Sequence, residues 1–204
     1  LENRFSGAEN INMDYPDLQK SSFHTSFNKR KIRKTKRKKI LICAQEFFDA
    51  PHIYGRNFFS DFYEWMDYLG KLSKTTNYDW YIKTHRNQPG KYKIYQPYTK
   101  KILKEFQKKY KNIKMLPTNY SHRQILKEKV DFVLTVYGSI AYEYPYFNIP
   151  VINATKNHPQ QNYNFSITPK SKKDYDHILK NLDNFKFKIN KDEILEYYYL
   201  RFIY

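Results

Sequence analysis

The chain has 204 residues, enough for one sizeable α/β unit or a domain with an appendage, and its formal net charge is +17. A hydrophobic content of 40%, with 21 Tyr and 15 Phe, supplies a core and excludes wholesale disorder. The single cysteine, Cys43, excludes an internal disulfide and a multi-cysteine zinc site, and no apolar stretch approaches the ~18 residues needed to cross a bilayer. With no signal-peptide pattern at the start, these features point to a reducing, cytosolic location.

Residues 1–28 show no sustained helical or strand period. They read as an irregular or extended arm leaning on the body through Phe5, Tyr15, Phe23 and Phe27. The block from Lys29 to Lys39 follows, basic at every position except Ile32 and Thr35. Such a block serves as a linker, a patch facing anionic lipid, or a nucleic-acid arm. It holds nine of the 17 net charges, so the remaining body is only mildly basic, which argues against a nucleic-acid role for the domain. The first residue is Leu1 rather than Met, which suggests a piece of a longer protein. Residues 1–38 are therefore expected to be arm and linker, and 39–204 the domain.

From Lys39 onward the chain alternates strand and helix patterns. Apolar, β-branched runs predict strands over Ile40–Ala44, Asp79–Thr84, Asn112–Leu116, Phe132–Val136 and from Val151, with a short edge strand over Ser166–Pro169. Helical spacing is seen from Asn57 to Lys71, where Phe58, Phe59, Phe62, Trp65, Met66 and Leu69 recur, and again from Tyr98 to Tyr110. Ser121 reads as the N-cap of a short helix. Gly138-Ser139 breaks the fourth strand run before a helix over Ile140–Phe147, which Asn148-Ile149-Pro150 ends. Helices are expected over Ser171–Asn181 and Lys191–Ile203. This order predicts an α/β, Rossmann-like doubly wound, mainly parallel sheet of about five or six strands with C-terminal helices.

Ligands of open parallel sheets bind beyond the C-terminal strand ends. The residues there are Gln45-Glu46, Lys83-Thr84-His85, Pro117-Thr118-Asn119, Tyr137-Gly138-Ser139 and Asn153. Lys83 and His85, two apart, suit a phosphate or carboxylate. Gly138 allows close backbone approach, and Ser139 offers a hydroxyl at a helix N-terminus. Glu143, four residues beyond Ser139, would share its helix face and suits two ribose hydroxyls. GxGxxG, Walker, HExxH and nucleophile-elbow motifs are absent, and the six histidines have no metal-ligand spacing, so no metal is expected.

The ordered series Gln45-Glu46, Lys83-x-His85, Ser121 opening a helix before Asp131, and T-V-Y-G-S-I-A-Y-E-x6-I-P-V-I resembles the C-terminal half of a GT-B glycosyltransferase. The likeness is to the bacterial capsule and lipopolysaccharide group that includes Kdo transferases, and it covers roughly residues 39–165. It implies that Gly138, Ser139 and Ser121 belong to the donor site and that Glu143 holds the nucleotide ribose. It further implies that Lys83 and His85 contact the phosphate or sugar acid, and that Glu46 lies near an interdomain cleft, with Glu46 and His85 as the catalytic pair. Arg86 stands where the family has proline, and Tyr144 and Tyr146 where small residues pack the helix.

The resemblance implies a glycosyltransferase domain that takes a CMP- or UDP-linked sugar, needs no other cofactor, and acts on a cell-surface glycan acceptor. A GT-B enzyme has two such halves, so an N-terminal partner domain is expected upstream. Lys29–Lys39 would be the interdomain linker or a contact with the inner face of the cytoplasmic membrane. The alternatives are a nucleotide-sugar epimerase-like enzyme and a non-catalytic nucleic-acid-binding module.

Overall fold

Strands buried on both faces must be apolar almost throughout, and this is how the strand runs read. The computed structural model describes residues 2–7, 22–85 and 94–204. Within them, β1 (Lys39–Cys43), β2 (Asp79–Lys83), β3 (Ile113–Met115), β4 (Phe132–Thr135) and β5 (Val151–Asn153) form one sheet. All four pairings are parallel and the order is β3-β2-β1-β4-β5. The register sets Ile42 beside both Ile82 and Leu134, and Leu134 beside Ile152. The expected α/β doubly wound sheet is present, with five strands. Ser166–Pro169 adds only an isolated bridge, Ile167 to Ile152.

Alternation divides the strand side chains between two faces. Ile40, Ile42, Trp80, Ile82, Phe132, Leu134 and Ile152 point to the first. That face is covered by α2 (Phe62–Leu72), α3 (Gln96–Lys109) and α6 (Lys172–Lys180) through Trp65, Met66, Leu69, Phe106, Tyr175 and Leu179. Gly70 on α2 has a packing role, because a Cβ there would lie 2.4 Å from the Tyr110 ring.

The second face carries Leu41, Cys43, Tyr81, Val133 and Val151. It is covered by α4 (His122–Glu128) and α5 (Ile140–Tyr146), with α7 (Lys191–Phe202) packed outside α5 through Ile194, Tyr197 and Tyr142. Asn148, with φ of 60°, takes the left-handed turn that ends α5.

The N-terminal part is more structured than its lack of periodicity predicts. Glu2–Ser6 form a short helix, α1, and residues 24–33 run across α4 and the second face. Ile32 is fully buried there. Its backbone N–H donates to Glu128 Oε2 at 3.0 Å, while those of Lys31 and Arg33 donate to the hydroxyls of Tyr120 (2.7 Å) and Tyr81 (2.9 Å). Glu128 Oε1 also accepts from Tyr120 and from Gln124, each at 2.7 Å. The basic block is thus pinned by its backbone while most of its cationic side chains face solvent. Tyr15 and the Arg86–Lys93 loop, including Arg86 itself, lie outside the described residues.

Candidate functional site

All five strands end at the same edge of the sheet. The chain runs from β1 outward through β2 and β3 on one side, then crosses to β4 and β5 on the other. Such a reversal, between β1 and β4, is where an open parallel sheet leaves a crevice. Gln45 follows β1 there, and its Nε2 donates to Thr135 Oγ1 at 3.0 Å. The backbone N–H of Gly138 donates to the same hydroxyl oxygen at 3.2 Å. A Cβ on Gly138 would sit 2.9 Å from Thr135 Oγ1 and 3.0 Å from Gln45 Nε2. Only glycine lets the turn after β4 fold back this closely. Ser139 follows, exposed, at the start of α5, and its side chain makes no capping bond.

Lys83, at the end of β2, is 5% exposed, and its Nζ donates to the Thr118 carbonyl at 3.1 Å. This bond ties the loop after β3 to β2. His85, half-buried, lies two residues further on. Cys43 ends β1 on the same face as Lys83. Burial pushes its thiol up to about 12; the nearby Lys83 charge opposes this rise and the Glu143 carboxylate adds to it. Cys43 thus sits in register with Lys83 at the strand ends and feels both charges.

Glu143 is only 1% exposed. Its Oε1 accepts from Arg4 Nε at 2.7 Å and from a second guanidinium nitrogen of the same residue. Burial works against the Arg4 charge, yet the facing carboxylate outweighs it and holds the guanidinium above its ordinary value. Phe5 fixes α1 against α5, with ring centroids 5.2 Å from Tyr146, 4.8 Å from Phe147 and 5.0 Å from Phe23. Ser139 and Glu143 are four residues apart, but one side chain is exposed and the other buried against α1.

The remaining sequence-derived residues are dispersed. Ser121 caps α4: its hydroxyl accepts from Arg123 N (3.2 Å) and donates to the His24 carbonyl (2.5 Å). The first bond caps the helix and the second docks the arm. Glu46 turns toward α3, where its Oε1 accepts from Thr99 Oγ1 at 2.9 Å. The structure thus brings Gly138 close to Gln45 and Thr135, while Lys83 is tied to Thr118, Glu143 to Arg4, and Ser121 and Glu46 to other contacts. Tyr144 and Tyr146, which stand where the resembled family has small residues, have structural roles. Tyr144 is buried with its hydroxyl 2.8 Å from His122 Nδ1, and Tyr146 receives Phe5.

Two side chains that the sequence did not single out bear on the site, Thr135 and Arg4, and Asn153, expected at the end of the fifth strand, lies there. Thr135 joins Gln45 to Gly138, and its place as the last residue of β4 was the available signal. Arg4 gave none, since 139 positions separate it from Glu143. Asn153, at the end of β5, is fully buried; its Nδ2 donates to Ser166 Oγ at 2.9 Å, while its Oδ1 has no hydrogen-bond partner among the described residues. Just beyond it His158, also buried, bonds through Nε2 with Thr168 Oγ1 at 2.8 Å, and burial lowers its pKa to about 4. Among the described residues no three His, Cys, Asp or Glu side chains are grouped to share a metal ion. Neither a comparison with protein-family models nor one with curated proteins gives a match.

Proposed function

We propose that this chain is the nucleotide-binding half of a glycosyltransferase, holding an activated sugar donor at the crevice between β1 and β4. The observation that carries this reading is the row of polar strand ends on one edge of an all-parallel 3-2-1-4-5 sheet, with Gln45 and Thr135-Gly138 at its reversal point and Lys83 and Asn153 on the flanking strands. That edge is where such sheets take nucleotides. The order of the polar residues along the chain, which resembles the donor half of GT-B enzymes, narrows the ligand to a nucleotide sugar.

In this reading the Gly138–Ser139 turn lies against the donor phosphates, and Lys83 and His85 balance the charge that builds on the leaving nucleotide. Glu46 serves as base toward the acceptor hydroxyl once it leaves the Thr99 hydroxyl that it now accepts from. Glu143 receives the ribose hydroxyls after Arg4 withdraws, since a bound guanidinium and a ribose compete for one carboxylate. Asn153 Oδ1, a buried acceptor without a partner among the described residues, suits a ligand N–H, because such groups are nearly always paired.

Calorimetric titration of the folded chain with CMP, UDP, GDP and CDP-glycerol tests the reading. One of the four is expected to bind, with Glu143→Ala abolishing the signal and substitution of Lys34, Lys36 and Arg37 by Ala leaving it in place. A folded sample that binds none of them overturns the proposal.

A further inference from the structure

The opposite edge of the sheet carries a second feature, independent of the nucleotide reading. In an all-parallel sheet every strand begins on one side, so the segments leading into the strands share that edge. Lys36 and Arg37 lead into β1, Lys74 lies between α2 and β2, Lys108 is in the last turn of α3 and Lys111 between α3 and β3, and Lys129 precedes β4. All six are exposed. They belong to four adjacent strands, β3-β2-β1-β4, whose spacing spreads them over roughly 14 Å. Lys74, Lys108 and Lys111 also line a shallow groove of about 540 Å³ with Ser73 and Asn112.

The charge on this edge is surplus. Asp67 is already paired with Lys71 and Lys109, and Asp131 with Lys39. Among the described residues none of the six cations makes an ion pair. Lys114, on β3, is held below its ordinary value chiefly by burial, with Arg33 and Arg37 adding to the effect and Asp79 opposing it.

We propose that the N-terminal edge of the sheet is a docking surface for an anionic lipid bilayer, with the strand-end crevice turned away from the membrane. Charge complementarity names an anionic partner, and three observations favour a lipid surface over a nucleic acid. Five of the six cations are lysines, point charges suited to diffuse attraction rather than to the bidentate phosphate contacts that arginine makes. The helices α2, α3 and α4 present their C-terminal ends to this edge, and the negative end of a helix dipole disfavours a tight phosphate pocket. The aromatic rings here, Tyr78 and Tyr110, are buried and offer no platform on which bases stack. Juxtamembrane lysines act through a field of this diffuse kind.

Co-sedimentation of the chain with phosphatidylcholine vesicles, with or without 30% phosphatidylglycerol (roughly the anionic fraction that gives a strong surface potential), is the test. Binding is expected only to the anionic vesicles and to weaken with added salt. Each cation removed should cost roughly fivefold in the partition coefficient. The triple variant Lys74→Gln/Lys108→Gln/Lys111→Gln should then lose roughly a hundredfold, with an unchanged thermal midpoint because all three side chains are exposed. Equal binding to neutral vesicles, an unaffected triple variant, or tighter binding to an oligonucleotide of equal phosphate concentration would each overturn the proposal.

Discussion

The two faces of the sheet are built by different means. On the first, α2, α3 and α6 meet the strands through apolar side chains, and the few polar contacts are single bonds such as Trp65 Nε1 to the Tyr175 hydroxyl at 3.0 Å. On the second, Ser121, His122, Gln124, Glu128 and Glu143 are all buried under α4, α5 and the N-terminal segment. Burial of apolar area is non-directional and needs no partner, whereas each buried polar group must be matched or it costs stability. The first face therefore secures the sheet. The second specifies which segment lies across it, and it carries the charged residues nearest the candidate site.

Substitutions that strike one face and spare the other test this division. Trp65→Ala, on the apolar face, is expected to cost about 4 kcal/mol, read from urea unfolding as a lower midpoint with little change in slope. Glu128→Ala, on the polar face, is expected to cost about 3 kcal/mol, because the Tyr120 hydroxyl, the Gln124 amide and the Ile32 N–H lose their acceptor together. The two losses should differ in kind. Amide exchange at Lys31–Arg33 should accelerate far more than exchange in β1 in the Glu128 variant, and uniformly in the Trp65 variant. Equal acceleration in both variants would remove the distinction between the faces.

Acidification should act on the polar groups alone. Burial tends to raise the Glu128 carboxyl, but the bonds from Tyr120, Gln124 and the Ile32 N–H outweigh it and leave its pKa lowered. Its contribution is thus present above the ordinary carboxylate range and lost as pH falls through the lowered value. His158, lowered to about 4, contributes fully above its ordinary value and loses that contribution as pH falls toward 4. The loss from His158 between pH 7 and pH 5 is about 2 kcal/mol. His158→Gln should flatten that part of the stability profile, and a profile unchanged by the substitution would show that the imidazole is not held neutral. The smallest effect is expected from Gly70→Ala. Better helix propensity offsets the clash with Tyr110 only in part, leaving a net loss of about 1 kcal/mol in the same unfolding assay.

The sequence made the sheet legible because strands buried on both faces leave an uninterrupted apolar record. All five strands lie within about a residue or two of their expected limits. The helix expected from Asn57 begins instead at Phe62, because Asp61 accepts from Glu64 N at 2.7 Å and Ser60 bonds back to the Glu64 carboxylate. Local polar chemistry there overrode a run of apolar residues that had the right spacing. Lys83, Gly138 and Glu143 were legible as strand-end and helix residues by position alone. Their partners were not. Ile32 and Glu128 are 96 positions apart, and no periodicity reports a bond between residues so distant. For the same reason Ser121 was recognisable as a cap, while its second bond, to the His24 carbonyl, was hidden.

Cys43 has a use that follows from its position. It is the protein's single thiol, 7% exposed at the end of β1, and burial holds it protonated at neutral pH. A thiol in that state reacts with an alkylating reagent only when the surrounding structure opens. The alkylation rate of the unmodified chain therefore measures how often the strand ends part, and it does so at the residue in register with Lys83. A ligand that binds across the crevice should slow that reaction in proportion to its occupancy, giving a reporter of binding that needs neither a label nor a known activity.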